Sequence, residues 1–204
     1  MICNTTMKNK YIIALGASAG GLAALSEFFD NTLPDGVSYI ITTHMQPHQK
    51  SFLVELIQRH STIEVKDVEN NMMIQPNTVY VMPENKVMTI ENGKLILKAR
   101  DLAIKVNMAI DIFFNSLAKD TIFRKIAIIL SGMGDDGTQG VKAIAENGGY
   151  IIAQIPHSAA EGSMPEGVIA SGYAKQILKP RNMPQAIINY VEHADQLLSE
   201  SESL

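Results

Sequence analysis

A chain of 204 residues with 46% hydrophobic content can fill one core but is short for two, so a single domain is expected. Its formal charge of −4, with no block of Lys or Arg, argues against a nucleic-acid partner, because phosphate binding needs a concentrated basic footprint. Cys3 is the only cysteine, so neither a disulfide nor a thiolate metal site can be built within the chain.

Residues 1–10 read as a disordered stub. Residues 11–16 form an apolar run that stops on Gly16 and delivers Ser18; Leu22, Leu25, Phe28 and Phe29 then mark one face of a helix that stops before Pro34. Residues 37–43 predict a second strand, ending on His44, and Phe52, Leu53, Leu56 and Ile57 place a stripe on a helix over 49–60. Ile63-Glu64-Val65 reads as a short third strand. From 78 to 98 the period changes: Val79-Tyr80-Val81, residues 87–90 and Leu95-Ile96-Leu97 are separated by turn residues and predict an antiparallel hairpin insert. The helical pattern resumes with Ile110, Phe113, Phe114 and Leu117, and residues 126–131 form a strand leading into Gly132-Met133-Gly134-Asp135-Asp136-Gly137. A helix over 138–147, a strand over 150–153, a short helix over 165–171 and a strand over 174–178 follow. Pro184, Ile187, Ile188 and Val191 mark a last helix, and residues 195–204 read as a frayed tail. The folded domain is therefore expected over 11–194, as an α/β, doubly wound, mainly parallel sheet of Rossmann-like three-layer form with a hairpin insert. No apolar run approaches the ~18 residues that span a bilayer, and residues 1–10 lack a signal-peptide core, so a soluble, cytoplasmic protein without membrane insertion is expected.

Ser18, His44 and Asp136 each follow a buried-type strand. In an open parallel sheet ligands gather outside the carboxyl ends of the strands, so the three are expected on one rim. Gly16-Ala17-Ser18-Ala19-Gly20 fits G-x-S-x-G, in which small residues permit a sharp turn that exposes a nucleophilic hydroxyl. A serine needs a base, and an imidazole, titrating ordinarily near ~6.5, can serve at neutral pH; an aspartate on its other nitrogen fixes the tautomer. Backbone amides after Ser18 and within the 132–137 turn are candidates for binding an oxyanion. Taken singly, each residue has an ordinary reading: Ser18 as a helix cap or phosphate contact, His44 as a satisfied rim residue, Asp136 as part of a turn. His48, His60, His157 and His193 lack this setting and read as solvated. A dinucleotide turn fails because G-x-G-x-x-G needs glycine where Ser18 stands, and a phosphate-binding Walker loop fails for want of Gly-Lys-Ser/Thr. The order Ser, His, Asp also differs from that of the α/β-hydrolases.

At these residues the chain resembles the catalytic domain of the chemotaxis protein-glutamate methylesterases, the CheB type. Gly16-Ala17-Ser18-Ala19-Gly20-Gly21, Thr43-His44-Met45-Gln46-Pro47, Pro83-Glu84-Asn85-Lys86, Leu130-Ser131-Gly132-Met133-Gly134-Asp135-Asp136-Gly137 and Met164-Pro165 occur in that family's order, over about residues 11–180. The resemblance implies hydrolysis of glutamate γ-methyl esters on the cytoplasmic helices of chemoreceptors, with release of methanol, and deamidation of receptor glutamines. It implies Ser18 as nucleophile, His44 as base, Asp136 as orienting acid and the amides of Ala19 and Met133 as oxyanion donors, with no metal and no organic cofactor. Ala19 replaces a common Thr, Ser163 replaces a common Gly, and Asp135 adds a carboxylate able to raise its neighbour's pKa if both are buried. The wording around Ala19 is closer to versions fused to a receptor methyltransferase. Such esterases usually carry an N-terminal receiver domain, and ten residues cannot supply one; a receiver or methyltransferase domain is expected on another chain or in a longer form. Two other readings stay open: a silent scaffold of the same fold, and a serine esterase for an unrelated ester.

Overall fold

The computed structural model describes residues 11–44, 52–101 and 103–201. Seven strands form one parallel sheet in the order β10-β9-β8-β1-β2-β5-β3. They are β1 (Tyr11–Ala17), β2 (Ser38–Thr43), β3 (Glu64–Asp67), β5 (Thr78–Val81), β8 (Arg124–Ile129), β9 (Tyr150–Gln154) and β10 (Gln176–Leu178). A second, antiparallel sheet orders β4 (Met72–Met73), β7 (Lys94–Ala99) and β6 (Lys86–Glu91). The helices are α1 (Gly21–Phe29), α2 (Leu53–His60), α3 (Ala109–Lys119), α4 (Thr138–Glu146), α5 (Ser163–Ala170) and α6 (Met183–Ser201).

All seven residues of β1 are buried, as expected of a central parallel strand covered on both faces. Its alternate side chains feed two cores. Tyr11, Ile13, Leu15 and Ala17 join Leu25, Phe28 and Phe29 of α1, Leu53 and Ile57 of α2 and Ile187 of α6. Ile12 and Ala14 face Ile110, Phe113, Phe114 and Leu117 of α3, with Val141 and Ile144 of α4. Gly16 is where α3 comes closest: a Cβ there would stand 2.8 Å from Ile110 Cγ2 and 2.8 Å from Ile129 Cδ1. The small sheet covers the outer side of α3, with Met88, Ile90 and Leu95 in the same core and the Ile90 amide donating to Ser116 Oγ at 3.1 Å.

From β1 the chain moves to β2 on one side, and later returns through β8 on the other. Strand order thus reverses at β1, and the carboxyl ends of β1, β2 and β8 border that switch point.

Three expectations need correction. Val79-Tyr80-Val81 is no part of the insert: β5 lies in the parallel sheet, pairing Val79 with both Tyr39 and Val65. A short, fully buried apolar run does not reveal its partner, whereas the β6–β7 hairpin announces itself by Asn92-Gly93, whose φ values of 51° and 76° suit a two-residue turn. Phe52 lies ahead of α2 and is 64% exposed rather than in its buried stripe, and the part of that expected helix over 49–51 lies outside the described residues. The last helix continues through Ser201 where a frayed tail was expected; residues 1–10 and 202–204 lie outside the description.

Candidate active site

Ser18 and His44 emerge side by side. Ala17 pairs with Thr43 in the β1–β2 register, so the next residue of each strand stands on the same rim, about one strand spacing of ~4.8 Å apart. The His44 amide donates back to the Ala17 carbonyl at 3.4 Å. Asp136, 92 residues further along, reaches the same place from the turn after β8: His44 Nε2–H donates to Asp136 Oδ2 at 2.5 Å. The carboxylate accepts only, so the proton of this bond sits on Nε2, and in the neutral imidazole Nδ1 then carries the free lone pair. In the serine-protease arrangement the two nitrogens have the opposite duties. The imidazole is 14% exposed and the carboxylate 5%, so the pair is largely shielded from solvent.

Asp136 is anchored from behind by the first turn of α3. Ile110 N–H donates to Oδ2 at 2.9 Å and Asp111 N–H to Oδ1 at 2.8 Å. These amides are among those that a helix start leaves without partners, and the positive end of the helix favours an anion there.

The serine turn is fixed by Ser131. Ser18 N–H donates to the Ser131 carbonyl at 2.9 Å, and Ser131 Oγ donates to the Ala19 carbonyl at 2.8 Å and accepts from Glu161 N–H at 3.0 Å. Gln154 Oε1 in turn accepts from Ser131 N–H at 2.8 Å. Among the described residues, the amides of Ala19 and Met133 donate to nothing, and no hydrogen bond joins Ser18 Oγ to His44. The Gly132 turn is held close by: its amide donates to the Glu161 carbonyl at 2.9 Å, and its carbonyl accepts from Met164 N–H at 3.0 Å.

Sequence reasoning named Ser18, His44, Asp136, Ala19 and Met133, and all five border this one rim. It missed the supports. Ser163, read only as a departure, accepts from Gly134 N–H at 3.2 Å and reaches the Gly132 carbonyl at 3.4 Å, so its hydroxyl spans the turn that carries Met133. Asp135 is exposed, so the condition of two buried neighbours is not met; the second buried carboxylate is Asp111. Its signal in the sequence was a lone acid inside the apolar face Ile110, Phe113, Phe114 and Leu117. His60 is not simply solvated, since Nδ1 lies 2.7 Å from Asp30 Oδ1. His157 and His193 are exposed, and His48 with Met45-Gln46-Pro47 lies outside the described residues. Among the described residues no cluster of His, Cys, Asp and Glu could hold a metal, and no helix is long and apolar enough to cross a membrane.

Fold and rim together define a doubly wound α/β domain with a hydroxyl, an imidazole and a carboxylate gathered at its switch point. Residues 13–187 match the family described as CheB methylesterase, and the chain belongs to that family. It is 34% identical over 190 residues to a protein-glutamate methylesterase/protein-glutamine glutaminase of Bacillus licheniformis, covering 90% of this chain and 53% of that protein. A 104.1 kDa uncharacterized protein of Rhodobacter capsulatus is 35% identical over 139 residues, which is 68% of this chain and 14% of that one. The crystal structure of the Thermotoga maritima CheB methylesterase catalytic domain superposes with a TM-score of 0.78 at 28% identity, covering 89% of this chain and 99% of that domain. The chain spans about half the length of the curated methylesterases it matches.

Proposed function

We propose that this domain is a protein-glutamate methylesterase that hydrolyses γ-methyl esters of glutamates on the cytoplasmic helices of chemoreceptors. The observation that carries the reading is the His44–Asp136 bond, made between residues 92 apart in sequence, beside a serine flanked by two unused amides. Ser18 is the nucleophile. The reaction requires Oγ to come within hydrogen-bond reach of Nδ1, a contact that is often long before substrate binds. Nδ1 takes the hydroxyl proton as Oγ attacks the ester carbonyl, while Asp136 stabilises the imidazolium that forms. The amides of Ala19 and Met133 receive the oxyanion, where one lost donor costs about 2.7–4 kcal/mol. Collapse breaks the bond to the methoxy oxygen, which takes the proton from Nδ1 and leaves as methanol. Water then attacks the acyl-serine by the same route and frees the glutamate carboxylate. With a glutamine side chain the leaving group is ammonia, which makes deamidation the second activity of the same site.

The test is methanol release from methylated receptor by wild type and by Ser18→Ala. Release that depends on Ser18 supports the proposal. Equal release by both, or none by either, defeats it; labelling of Ser18 by a serine-directed reagent without methanol release points instead to an unrelated ester.

A further inference from the structure

Asp111 is the one charged residue among the buried positions of α3. Its Oδ1 accepts two amides from the start of α4, Gly137 N–H at 3.0 Å and Gly140 N–H at 2.7 Å. In exchange, the amides of Ile110 and Asp111 hold the two oxygens of Asp136. The helix starts are therefore laced crosswise: an acid from the α4 side caps α3, and an acid from α3 caps α4. The contact is tight enough that a Cβ on Gly140 would stand 2.4 Å from Phe114 Cβ and 3.2 Å from Asp111 Oδ1.

This arrangement has a cost. Asp111 Oδ2 is buried without a hydrogen-bond partner, and burying a half-satisfied carboxyl is unfavourable. The lacing does, however, grip the chain on the carboxyl side of Asp136, because Gly137 is the next residue, while the Asp136 side chain is gripped at both oxygens. Backbone and side chain of the acid are thus fixed independently, which leaves one direction for its short bond to His44.

We propose that Asp111 is a positioning residue that sets the reach of Asp136 toward His44 by clamping Gly137 and Gly140. The inference rests on the reading of Asp136 as the orienting acid of the esterase. It acts through Asp136 and touches neither substrate nor the imidazole.

The experiment compares Asp111→Ala and Asp111→Asn with wild type. The low-field proton resonance of the His44 Nε2–H, observed by nitrogen-labelled NMR without substrate, reports the His44–Asp136 bond directly. Methanol release gives kcat and KM. In folded Asp111→Ala the resonance should vanish and kcat fall by about 10²-fold, the order that a 1 Å misplacement costs, with KM little changed. Asp111→Asn keeps a carbonyl oxygen for both amides and should restore the resonance and most of kcat. A folded Asp111→Ala with resonance and kcat intact overturns the inference, as does a folded Asp111→Asn that has lost the resonance. Should the alanine variant not fold, the asparagine variant decides by the same criterion. If wild type releases no methanol yet its resonance responds as stated, the esterase reading fails while Asp111's hold on the pair stands.

Discussion

Replacing Gly132 by Ala tests whether the turn over Ser18 is as close as the catalytic reading needs. An added Cβ would stand 2.5 Å from Met164 Cε, 2.6 Å from Met164 Sδ and 3.0 Å from Ser18 Cβ. Met164 is wholly buried, so its side chain cannot swing into solvent to make room. Carbon atoms settle farther apart than this, so Ser18 and the turn must separate by a few tenths of an ångström. Overpacking of this kind costs about 1–3 kcal/mol of stability. The larger effect falls on the reaction, because the same shift changes the spacing between Ser18 and the turn that carries the Met133 amide; about tenfold in kcat is expected, with KM little changed. Gly134 supplies the contrast within the same turn. Its φ is +85° but a Cβ there meets nothing within 4 Å, so Gly134→Ala brings strain of about 1–2 kcal/mol without a collision at Ser18. Methanol-release kinetics with thermal melts of both variants decide the matter. Gly132→Ala with undiminished kcat, or equal kcat losses in the two variants, would refute the reasoning.

Ser163→Gly removes the hydroxyl that spans the Gly132–Gly134 turn, and with it one net hydrogen bond worth about 1 kcal/mol, so kcat should fall about fivefold at constant KM; an unchanged kcat removes Ser163 from the support. Burial raises the Asp111 carboxyl above the ordinary carboxylate range, opposed by the Gly140 and Gly137 amides and assisted by the Asp136 and Asp135 charges. The folded state therefore keeps a proton that the unfolded chain releases near pH ~4, and stability from this group is lost as pH rises from there through the folded pKa. Urea unfolding should accordingly show Asp111→Asn gaining on wild type as pH rises across that window, and parallel pH curves would contradict the assignment. Tyr39 packs its ring against Phe28 and Phe29 and has a buried hydroxyl without a partner, so Tyr39→Phe should match or exceed wild-type stability, by up to about 1–3 kcal/mol in urea titrations. A clear loss would mean that the hydroxyl is satisfied.

The rim was legible because its signals are local. An apolar strand that ends on glycine and serine, one that ends on histidine and one that runs into a glycine-rich turn each declare both a buried element and its polar terminus. Parallel topology then brings the ends together without any need to know the contacts. What stayed hidden depends on partners distant in the chain. Val79-Tyr80-Val81 reads as a strand, but nothing in its composition says that it slots between β2 and β3. Asp111 looks like an acid favourable to the first turn of a helix, which it is, yet its use becomes visible only when α4 is laid beside α3. Ser163 departs from a familiar glycine, and its hydroxyl acquires meaning only through the amide of Gly134, 29 residues earlier.

The switch-point layout draws the proposed relay from two stretches of the chain that lie far apart in sequence. Hydroxyl and imidazole arrive on the neighbouring strands β1 and β2, whereas the carboxylate follows β8, which starts at Arg124 and must insert on the far side of β1. A nascent polypeptide stalled before that insertion would display serine and histidine yet lack the group that orients them. Under the proposed function, hydrolytic competence would then switch on only once β8 is seated beside β1, so ester cleavage could serve as a sensitive gauge of that insertion.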